Sequence, residues 1–305
     1  MSKKLIIVDA NSLIHRAFHA LPPFKTKKGE LVNAVYGFYS ILINILSRIK
    51  PDYLAVCFDV KKKTFRHEVY KEYKAKRVKA PDELYAQFDR IKEVLKTLEV
   101  PIYEKEGYEA DDVIATVAEK VEKDPEINVY VVTSDKDALQ LVDDQTYVVS
   151  PAKGGTDNKI YNPEAVVERF GLDPDQIIDF KAIMGDTSDN IPGVVGIGEK
   201  GATNLLQKYK TLDGIYDHLD EITGATHKKL SEQRDEAYFS QKLVTLVKDV
   251  PIDFELEKTK YKPEDFGKAL PLFEELEFRS LIGRLQKILP VKPKAEDKPV
   301  QASLF

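Results

Sequence analysis

The sequence predicts an α/β protein with a mainly parallel sheet flanked by helices, followed by a helical domain. Short, continuous apolar runs are typical of buried strands in a parallel sheet. They lie at residues 4–10, 53–59 and 128–134, with weaker runs at 100–103 and 146–150. Helical patterns separate them, at residues 33–49, 82–98 and 110–123. This alternation of strands and helices indicates a sheet covered on both faces.

Beyond about residue 160 the pattern changes to helices joined by polar turns. The helical stretches are NPEAVVERFG, DPDQIIDFKAIMG, GEKGATNLLQKY and residues 228–248 and 263–288. We therefore predict two domains, residues 1–170 and residues 171–289. Residues 290–300, PVKPKAEDKPV, are rich in proline and charge. They have little to bury, so residues 290–305 are expected to form a disordered tail.

The bulk composition fits a cytoplasmic protein. The chain has 305 residues, of which 43% are hydrophobic and 32% charged, enough for a core and a soluble surface. No apolar run approaches the ~18 residues of a membrane helix, and the start, MSKKLIIVDAN, is too short in apolar residues for a signal peptide. The single Cys57 excludes an intramolecular disulfide and is expected to be a buried structural thiol.

Carboxylates from five separated segments follow the predicted strands or begin helices. They come from VDAN, FDV, GYEADD, TSDKD and GDTSDN. Any one of these acids is also explained as a helix cap, a first-turn charge or a turn residue. Ligands of open α/β sheets bind beyond the carboxyl ends of the strands, so we expect the five segments to converge on one cavity.

The type of ligand predicts the type of ion. Oxygen ligands without cysteine or clustered histidine favour Mg²⁺ or Mn²⁺ over zinc. Carboxylates in excess of what one ion needs indicate two ions, the arrangement that hydrolyses phosphodiesters.

A strongly basic segment follows the second strand, although the net charge of the chain is −5. Residues 61–79 contain nine lysines and arginines against two glutamates, interleaved with Phe65, His67, Tyr70 and Tyr73. Cations neutralise phosphates and aromatic rings stack on bases, a combination used to bind single strands. The alternative is a solvated, charged helix face.

A glycine turn precedes a predicted helix in IPGVVGIGEKGA, residues 191–202, with Gly193, Gly196 and Gly198. Its backbone N–H groups can approach a phosphate in front of the helix N-terminus. Because the preceding segment is helical, we predict a helix-hairpin-helix motif that grips a DNA backbone without reading its sequence.

Together these motifs resemble the 5′ nuclease domain of bacterial DNA polymerase I and the related flap endonucleases. VDAN, FDVKKKTFRHE, YKAKR, GYEADD, TSDKD, MGDTSDNIPG and GVVGIGEK occur in the family's order, from about residue 4 to 288. The resemblance implies a PIN-like nuclease core with a helical arch at about residues 61–90. It also implies a metal-dependent 5′→3′ exonuclease and 5′ flap endonuclease. Its substrates would be flapped DNA and RNA primers in lagging-strand processing and repair.

The resemblance also implies residue roles. The metal-binding acids fall on Asp9, Asp59, Glu109, Asp111, Asp112, Asp135, Asp137, Asp186 and Asp189. The catalytic cations fall on Lys74 and Arg77, in a helix of the arch, and on Arg16 in the first helix. DNA contacts are implied for Arg66, Tyr73, Lys181, Gly193, Gly196, Gly198 and Lys200, with K⁺ at the hairpin. His15 stands where the family often has tyrosine, and Gly201 departs from the usual GEKTA.

Two other functions compete with this prediction. One is a single-strand ribonuclease with a related acidic core, which the hairpin and the second domain disfavour. The other is a catalytically silent DNA-junction binder, which should have lost acids, whereas all the expected acids are present. We expect a monomer. The chain is either a stand-alone nuclease or an excised polymerase domain.

The C-terminal peptide QASLF resembles the pentapeptide by which bacterial replication proteins dock on the sliding clamp. The docking residues would be Gln301, Leu304 and Phe305. The alternative is a chance ending, or a linker cut from a longer polymerase.

Overall fold

A computed structural model of the protein describes residues 2–152 and 158–289. The predicted tail, including Gln301, Leu304 and Phe305, lies outside the described residues. Six strands in the described part of the chain form one sheet. They are β1 (Lys3–Asp9), β2 (Tyr53–Cys57), β3 (Ile102–Tyr103), β4 (Ile127–Val132), β5 (Thr146–Ser150) and β6 (Lys159–Tyr161). The strand order is β3-β2-β1-β4-β5-β6, with every neighbouring pair parallel except β5 and β6.

Helices cover both faces of this sheet. The N-terminal ones are α1 (Ala10–Ala20), α2 (Asn33–Ile49), α3 (Phe65–Val69), α4 (Asp82–Thr97) and α5 (Ala110–Glu122). Those that follow are α6 (Pro163–Phe170), α7 (Ile177–Met184), α8 (Glu199–Tyr209), α9 (Leu212–Asp217), α10 (Gly224–Glu232), α11 (Arg234–Val244), α12 (Leu270–Glu275) and α13 (Arg279–Ile288). Within the described ranges, none of these helices combines the length and the apolar composition that a bilayer crossing requires.

The central strand β1 is continuously apolar from Leu5 to Val8, because both of its faces are buried there. Ile6 and Val8 pack against α2 and α4, whereas Leu5 and Ile7 pack against α5. Alternate side chains of a strand point to opposite faces, so a continuous apolar run is what a doubly covered strand requires. The predicted mainly parallel sheet flanked by helices is confirmed.

Helix α1 is held close to α2 by a small residue. A Cβ atom at Gly37 of α2 would lie 2.5 Å from the Cβ of Ala17. Any larger residue at position 37 would push the two helices apart. The close packing fixes α1, which begins at the end of β1 and carries His15 and Arg16.

Helices α7 to α11 build a second core with Phe180, Ile197, Leu206, Ile215 and Leu230 buried in it. The chain then returns to the sheet. Phe266, Phe273 and Leu281 are buried in the same cluster as α2 and α4. Residues 263–288 therefore pack on the sheet rather than on α7 to α11.

The structure differs from the predicted elements in two places. Strand β6 has no predicted counterpart, because it is only three residues long and pairs antiparallel at the sheet edge. The predicted helical arch is interrupted: α3 ends at Val69, α4 begins at Asp82, and the chain between them forms turns and extended backbone. Lys74 has a left-handed φ of 57° and donates its N–H to the carbonyl of Asp189. This tertiary contact holds a turn where a helix was expected.

Candidate active site

A cleft of about 940 Å³ opens at the carboxyl-terminal edge of the sheet. It lies at β1, from which the strand order runs outward through β2 on one side and β4 on the other. Ligands of open α/β sheets bind at such a switch point. The lining includes His15, Arg16, Arg77, Lys136 and Lys181 together with Asp9, Asp59, Asp135, Asp137 and Asp186.

Backbone and hydroxyl donors fix the first two acids. Asp9, the last residue of β1, accepts from the N–H of Ser12 at 3.0 Å and from the hydroxyl of Thr133 at 2.6 Å. Asp59 accepts from the N–H of Ala110 at 2.7 Å and therefore lies at the N-terminus of α5. A carboxylate there is favoured by the helix dipole.

Asp111, in the first turn of α5, lacks such support. Its side chain takes part in no hydrogen bond or ion pair among the described residues. Burial and the carboxylates of Asp9, Asp135, Asp59 and Glu109 hold the pKa of Asp111 well above its usual range. Burial, together with Asp59 and Asp135, also raises the pKa of Asp9 to about 7, against the hydrogen bonds from Thr133 and Ser12. The pKa of Asp59 is raised as well, mainly by burial.

We name Asp9, Asp59, Asp111 and Asp135 the central acids. None of the ion pairs among the described residues involves them. Within the same residues, no three His, Cys, Asp or Glu side chains are arranged to hold a metal ion as they stand. The donor chemistry nevertheless fits a hard divalent cation, because the group is all oxygen, mutually repelling and lacks a basic partner.

Lys181 bridges two further acids. Its ammonium contacts the carboxylate of Asp137 and lies 2.8 Å from Asp186. Burial alone would raise the pKa of Asp186, but Lys181 and the hydrogen bonds from Ser188 lower it to about 2. Lys181 is predicted to contact DNA. In this structure its side chain lies at the cleft lining and is buried between these two carboxylates.

Tyr73 and Lys74 bridge the remaining acids. The Lys74 ammonium lies 2.7 Å from Glu109 and 3.7 Å from Asp189, and the Tyr73 hydroxyl lies 3.0 and 3.1 Å from the same two carboxylates. These carboxylates raise the pKa of Lys74 despite its burial. Tyr73, which is predicted to contact DNA, is only 4% exposed in this structure. The ring packs beside Ile191 and Leu243 instead.

Two predicted catalytic cations line the cleft. Arg77 pairs with Asp189, and its side chain is half exposed. Arg16 donates to the hydroxyl of Ser134 at 3.3 Å and to the carbonyl of Pro151 at 2.5 Å. Since neither bond involves a carboxylate, the charge of Arg16 is not neutralised by an acid in these contacts.

Asp112 is separated from the central acids by a buried ion pair. Arg66 donates to its two oxygens at 2.7 and 2.8 Å, and the N–H groups of Glu109 and Val247 donate to the same oxygens. Arg66 is 1% exposed and Asp112 is 0% exposed. Asp112 is predicted to bind metal and Arg66 to contact DNA. In this structure the two side chains pair with each other, and neither belongs to the lining of the cleft.

The glycine hairpin joins α7 to α8 as predicted. Gly193 has φ 61°, and a Cβ there would lie 2.3 Å from the backbone nitrogen of Gly185. Gly196 has φ 89°. Gly198 precedes α8 and is open, with no atom within 4 Å of an added Cβ. Lys200 is exposed in the first turn of α8.

Several supporting residues were not predicted from the sequence. Thr133 joins Asp9 to the Asp135 turn, and Asn11 accepts from the N–H of Asp59 at 3.1 Å. Lys229 donates to the carbonyl of Gly196 at 2.7 Å. Asn11 and Thr133 belong to the quoted motifs VDAN and TSDKD, which is a usable signal. Lys229 lies 33 residues from its partner, and nothing local indicates the contact.

Comparison with known proteins identifies the family of the chain. Residues 4–171 match the family described as 5′-3′ exonuclease, N-terminal resolvase-like domain, and residues 172–266 match 5′-3′ exonuclease, C-terminal SAM fold. DNA polymerase I of Bacillus subtilis (strain 168) is 45% identical over 284 residues, 93% of this chain and 32% of that protein. DNA polymerase I of Bacillus caldotenax is 42% identical over 306 residues, 100% of this chain and 34% of that protein. The chain spans about a third of the length of these relatives.

Solved structures share the fold. T5 5′-exonuclease with divalent metal ions (zinc) bound has a TM-score of 0.65 at 23% identity, covering 94% of this chain and 99% of that chain. Flap endonuclease-1 from Methanococcus jannaschii has a TM-score of 0.58 at 20% identity, covering 94% of this chain and 91% of that chain. The catalytic core of Rad2 in complex with DNA substrate has a TM-score of 0.63 at 16% identity, covering 94% and 93%.

An α/β sheet with an acidic cleft at its edge and a helical domain after it is the fold of the 5′ nucleases. The chain belongs to the 5′-3′ exonuclease family.

Proposed function

We propose that the chain hydrolyses phosphodiester bonds at 5′ ends, as a 5′→3′ exonuclease and as a 5′ flap endonuclease. Its substrates would be branched DNA and RNA primers in lagging-strand processing and repair. The observation that carries the proposal is the group of central acids, which lies at the sheet edge and forms no ion pair with a described basic residue. Lys74 and Arg77 flank it with side chains suited to a phosphate.

The cofactors we propose are two divalent cations, Mg²⁺ or Mn²⁺. The central acids would hold them, with Asp137, Asp186, Glu109 and Asp189 completing the sites once their lysine partners turn away. When bound, the cations would supply an activated water and stabilise the leaving oxygen. Asp112 is left out of this proposal because both of its oxygens are bonded to Arg66.

The chain's own cations would orient the scissile phosphate. Lys74 and Arg77 contact Glu109 and Asp189. When the divalent cations neutralise Glu109 and Asp189, the Lys74 ammonium and the Arg77 guanidinium would be free to donate to phosphate oxygens. Arg16, on another part of the cleft lining, would contact the cleaved strand. Such donors act most strongly on the charge that develops in the transition state.

Replacing Lys74 by alanine should therefore depress the chemical step. We expect single-turnover cleavage of a 5′ flap to fall by about 10²- to 10³-fold, while the dissociation constant of the flap changes much less. Lys248→Ala is the matched control, because Lys248 is an exposed lysine outside residues 61–79 that pairs with Glu119 and does not line the cleft. If Lys74→Ala weakened binding and left the rate at saturation intact, Lys74 would be a simple backbone contact.

The glycine hairpin would hold the duplex beside the cut, with Lys200 near the backbone and K⁺ at the hairpin carbonyls. Gly198→Val should fold normally, since nothing lies within 4 Å of the added Cβ, yet the branched side chain would block a phosphate. We expect affinity for flapped duplex to fall about 10-fold, with cleavage of short single strands retained. Binding titrations and cleavage assays on both substrates measure this. Equal losses on the two substrates, or a lowered Tm, would contradict the hairpin's role.

A labelled 5′-flap substrate tests the function as a whole. With Mg²⁺ or Mn²⁺ we expect release of a short 5′-labelled product cut near the junction, and with EDTA no product. Binding without cleavage in either metal would favour a catalytically silent junction binder. Cleavage that persists in EDTA would contradict the dependence on metal.

Two further proposals rest on the sequence alone. We propose that the chain acts as a monomer and that the C-terminal peptide docks on the sliding clamp through Gln301, Leu304 and Phe305. These three residues lie outside the described part of the chain.

A further inference from the structure

Thr133 lies between two of the central acids. It follows β4 directly, is 0% exposed, and its own N–H donates to the carbonyl of Val149 at 3.2 Å. Its hydroxyl donates to Asp9 at 2.6 Å and accepts from the backbone N–H of Asp135 at 3.0 Å. One hydroxyl therefore ties the end of β1 to the turn that follows β4.

A second link runs in parallel. The N–H of Ser12 donates to the other oxygen of Asp9 at 3.0 Å, and the hydroxyl of Ser12 accepts from the N–H of Ser134 at 2.9 Å. Each carboxylate oxygen of Asp9 thus receives one hydrogen bond. A carboxylate oxygen has two lone pairs, so each retains one for another partner.

The hydrogen bonds of Thr133 act against the electrostatic repulsion among the central acids. Unit charges 4 Å apart repel by about 4 kcal/mol at an effective dielectric of 20, a force that tends to turn carboxylates away from one another. If the Asp9 carboxylate turned away, it would lose its 2.6 Å hydrogen bond from the Thr133 hydroxyl. If the backbone of Asp135 shifted, its N–H would lose the same hydroxyl as acceptor. The hydroxyl opposes the separation that electrostatics favours.

We propose that Thr133 is a positioning residue for metal-dependent cleavage. Its hydroxyl holds the carboxylate of Asp9 and the backbone of Asp135 in place, so that the two side chains can face the same divalent cation, and it touches neither the cation nor the substrate. This inference rests on the proposed function. Outer hydrogen-bond partners of metal ligands typically contribute 10- to 100-fold to metal affinity, so the loss of the hydroxyl should appear first in metal binding.

Thr133→Val removes the hydroxyl at nearly constant volume, and Thr133→Ser restores it. We expect Thr133→Val to weaken Mn²⁺ binding by about 10- to 100-fold, measured by calorimetry and by electron paramagnetic resonance of free Mn²⁺. The Mn²⁺ concentration for half-maximal flap cleavage should rise in parallel. Thr133→Ser should return both values to within about 3-fold of the wild type. Thr133→Cys introduces a thiol of similar size that is only a weak hydrogen-bond donor. Like Thr133→Val, it should weaken Mn²⁺ binding.

Thr116 offers the matched control. It is equally buried, and its hydroxyl donates to the carbonyl of Asp112 at 2.8 Å and accepts from the N–H of Val250 at 3.0 Å, away from the central acids. Thr116→Val should lower the Tm and leave Mn²⁺ affinity unchanged. Unchanged Mn²⁺ affinity in Thr133→Val, or equal losses in the two valine variants, would overturn the positioning role. A wild-type protein that binds no Mn²⁺ would overturn this role together with the proposed function.

Discussion

Replacing Asp111 by asparagine is expected to abolish cleavage and at the same time to stabilise the metal-free protein. Asp111 has no hydrogen-bond donor of its own among the described residues, and four carboxylates raise its pKa together with burial. Unit charges 8 Å apart repel by about 2 kcal/mol at an effective dielectric of 20. Neutralising Asp111 should therefore increase the free energy of unfolding in EDTA by about 1–2 kcal/mol, while the rate of flap cleavage falls by several orders of magnitude.

Thermal unfolding in EDTA and in Mg²⁺, together with single-turnover cleavage, measures both effects. The wild type should gain stability when Mg²⁺ is added, and Asp111→Asn should gain much less. Asp217→Asn, at an exposed aspartate on α9, is the control and should leave both quantities unchanged. Near-normal cleavage by Asp111→Asn, or a lower stability in EDTA, would remove Asp111 from the metal site.

The raised pKa of Asp9 also predicts that the stability of the metal-free protein depends on pH. Burial raises the pKa of Asp9 from 3.8 to about 7, so between these values the folded state binds more protons than the unfolded state. Stability contributed by this group is therefore lost as the pH rises from about 4 to about 7. Asp111→Asn should make that loss shallower.

The second large effect concerns stability rather than catalysis. Arg66→Met should lower the free energy of unfolding by about 3–5 kcal/mol, because it leaves the buried charge of Asp112 without its ion-pair partner. It also removes the donors to the carbonyls of Leu243 and Thr245, at 2.8 and 2.9 Å. These bonds tie α3, α5 and the end of α11 together.

Urea denaturation of Arg66→Met and of Arg66→Met/Asp112→Leu tests this interpretation. The double variant should recover part of the loss, since an apolar pair leaves no buried charge. Arg90→Met serves as control: Arg90 also contacts three carboxylates, but they are exposed, and a loss of about 1 kcal/mol is expected. If the two single variants lost equal stability, the burial of the Arg66 pair would not be the source of the effect.

The sequence predicted the elements whose signal is local. Helix α2 has the predicted bounds, 33–49, and the strands at 4–10, 53–59 and 128–134 were found within two residues at each end. Their apolar patterns follow directly from burial on one or two faces. The convergence of the acids followed from a general rule about strand ends in parallel sheets.

What could not be predicted depends on contacts between distant segments. Asp111 and Asp112 are adjacent in the first turn of α5, and the composition alone does not tell which of them meets Arg66. Tyr73 and Lys74 were placed on a helix, but the bonds to Glu109 and Asp189 fold that segment into a turn. The apolar pattern of residues 263–288 predicted helices without indicating that they pack on the sheet.

The short path from Asp186 to Gly198 has a mechanical consequence. Asp186 and Ile191 exchange two backbone hydrogen bonds, at 2.9 and 2.7 Å, and Gly193 packs against Gly185. The turn at Asp186 and the glycine hairpin therefore form one rigid unit. A duplex bound at the hairpin, as proposed, would therefore lie at a fixed distance from the acids. In the proposed function, this fixed distance would set the position of the cut relative to the junction, whatever the length of the free 5′ strand.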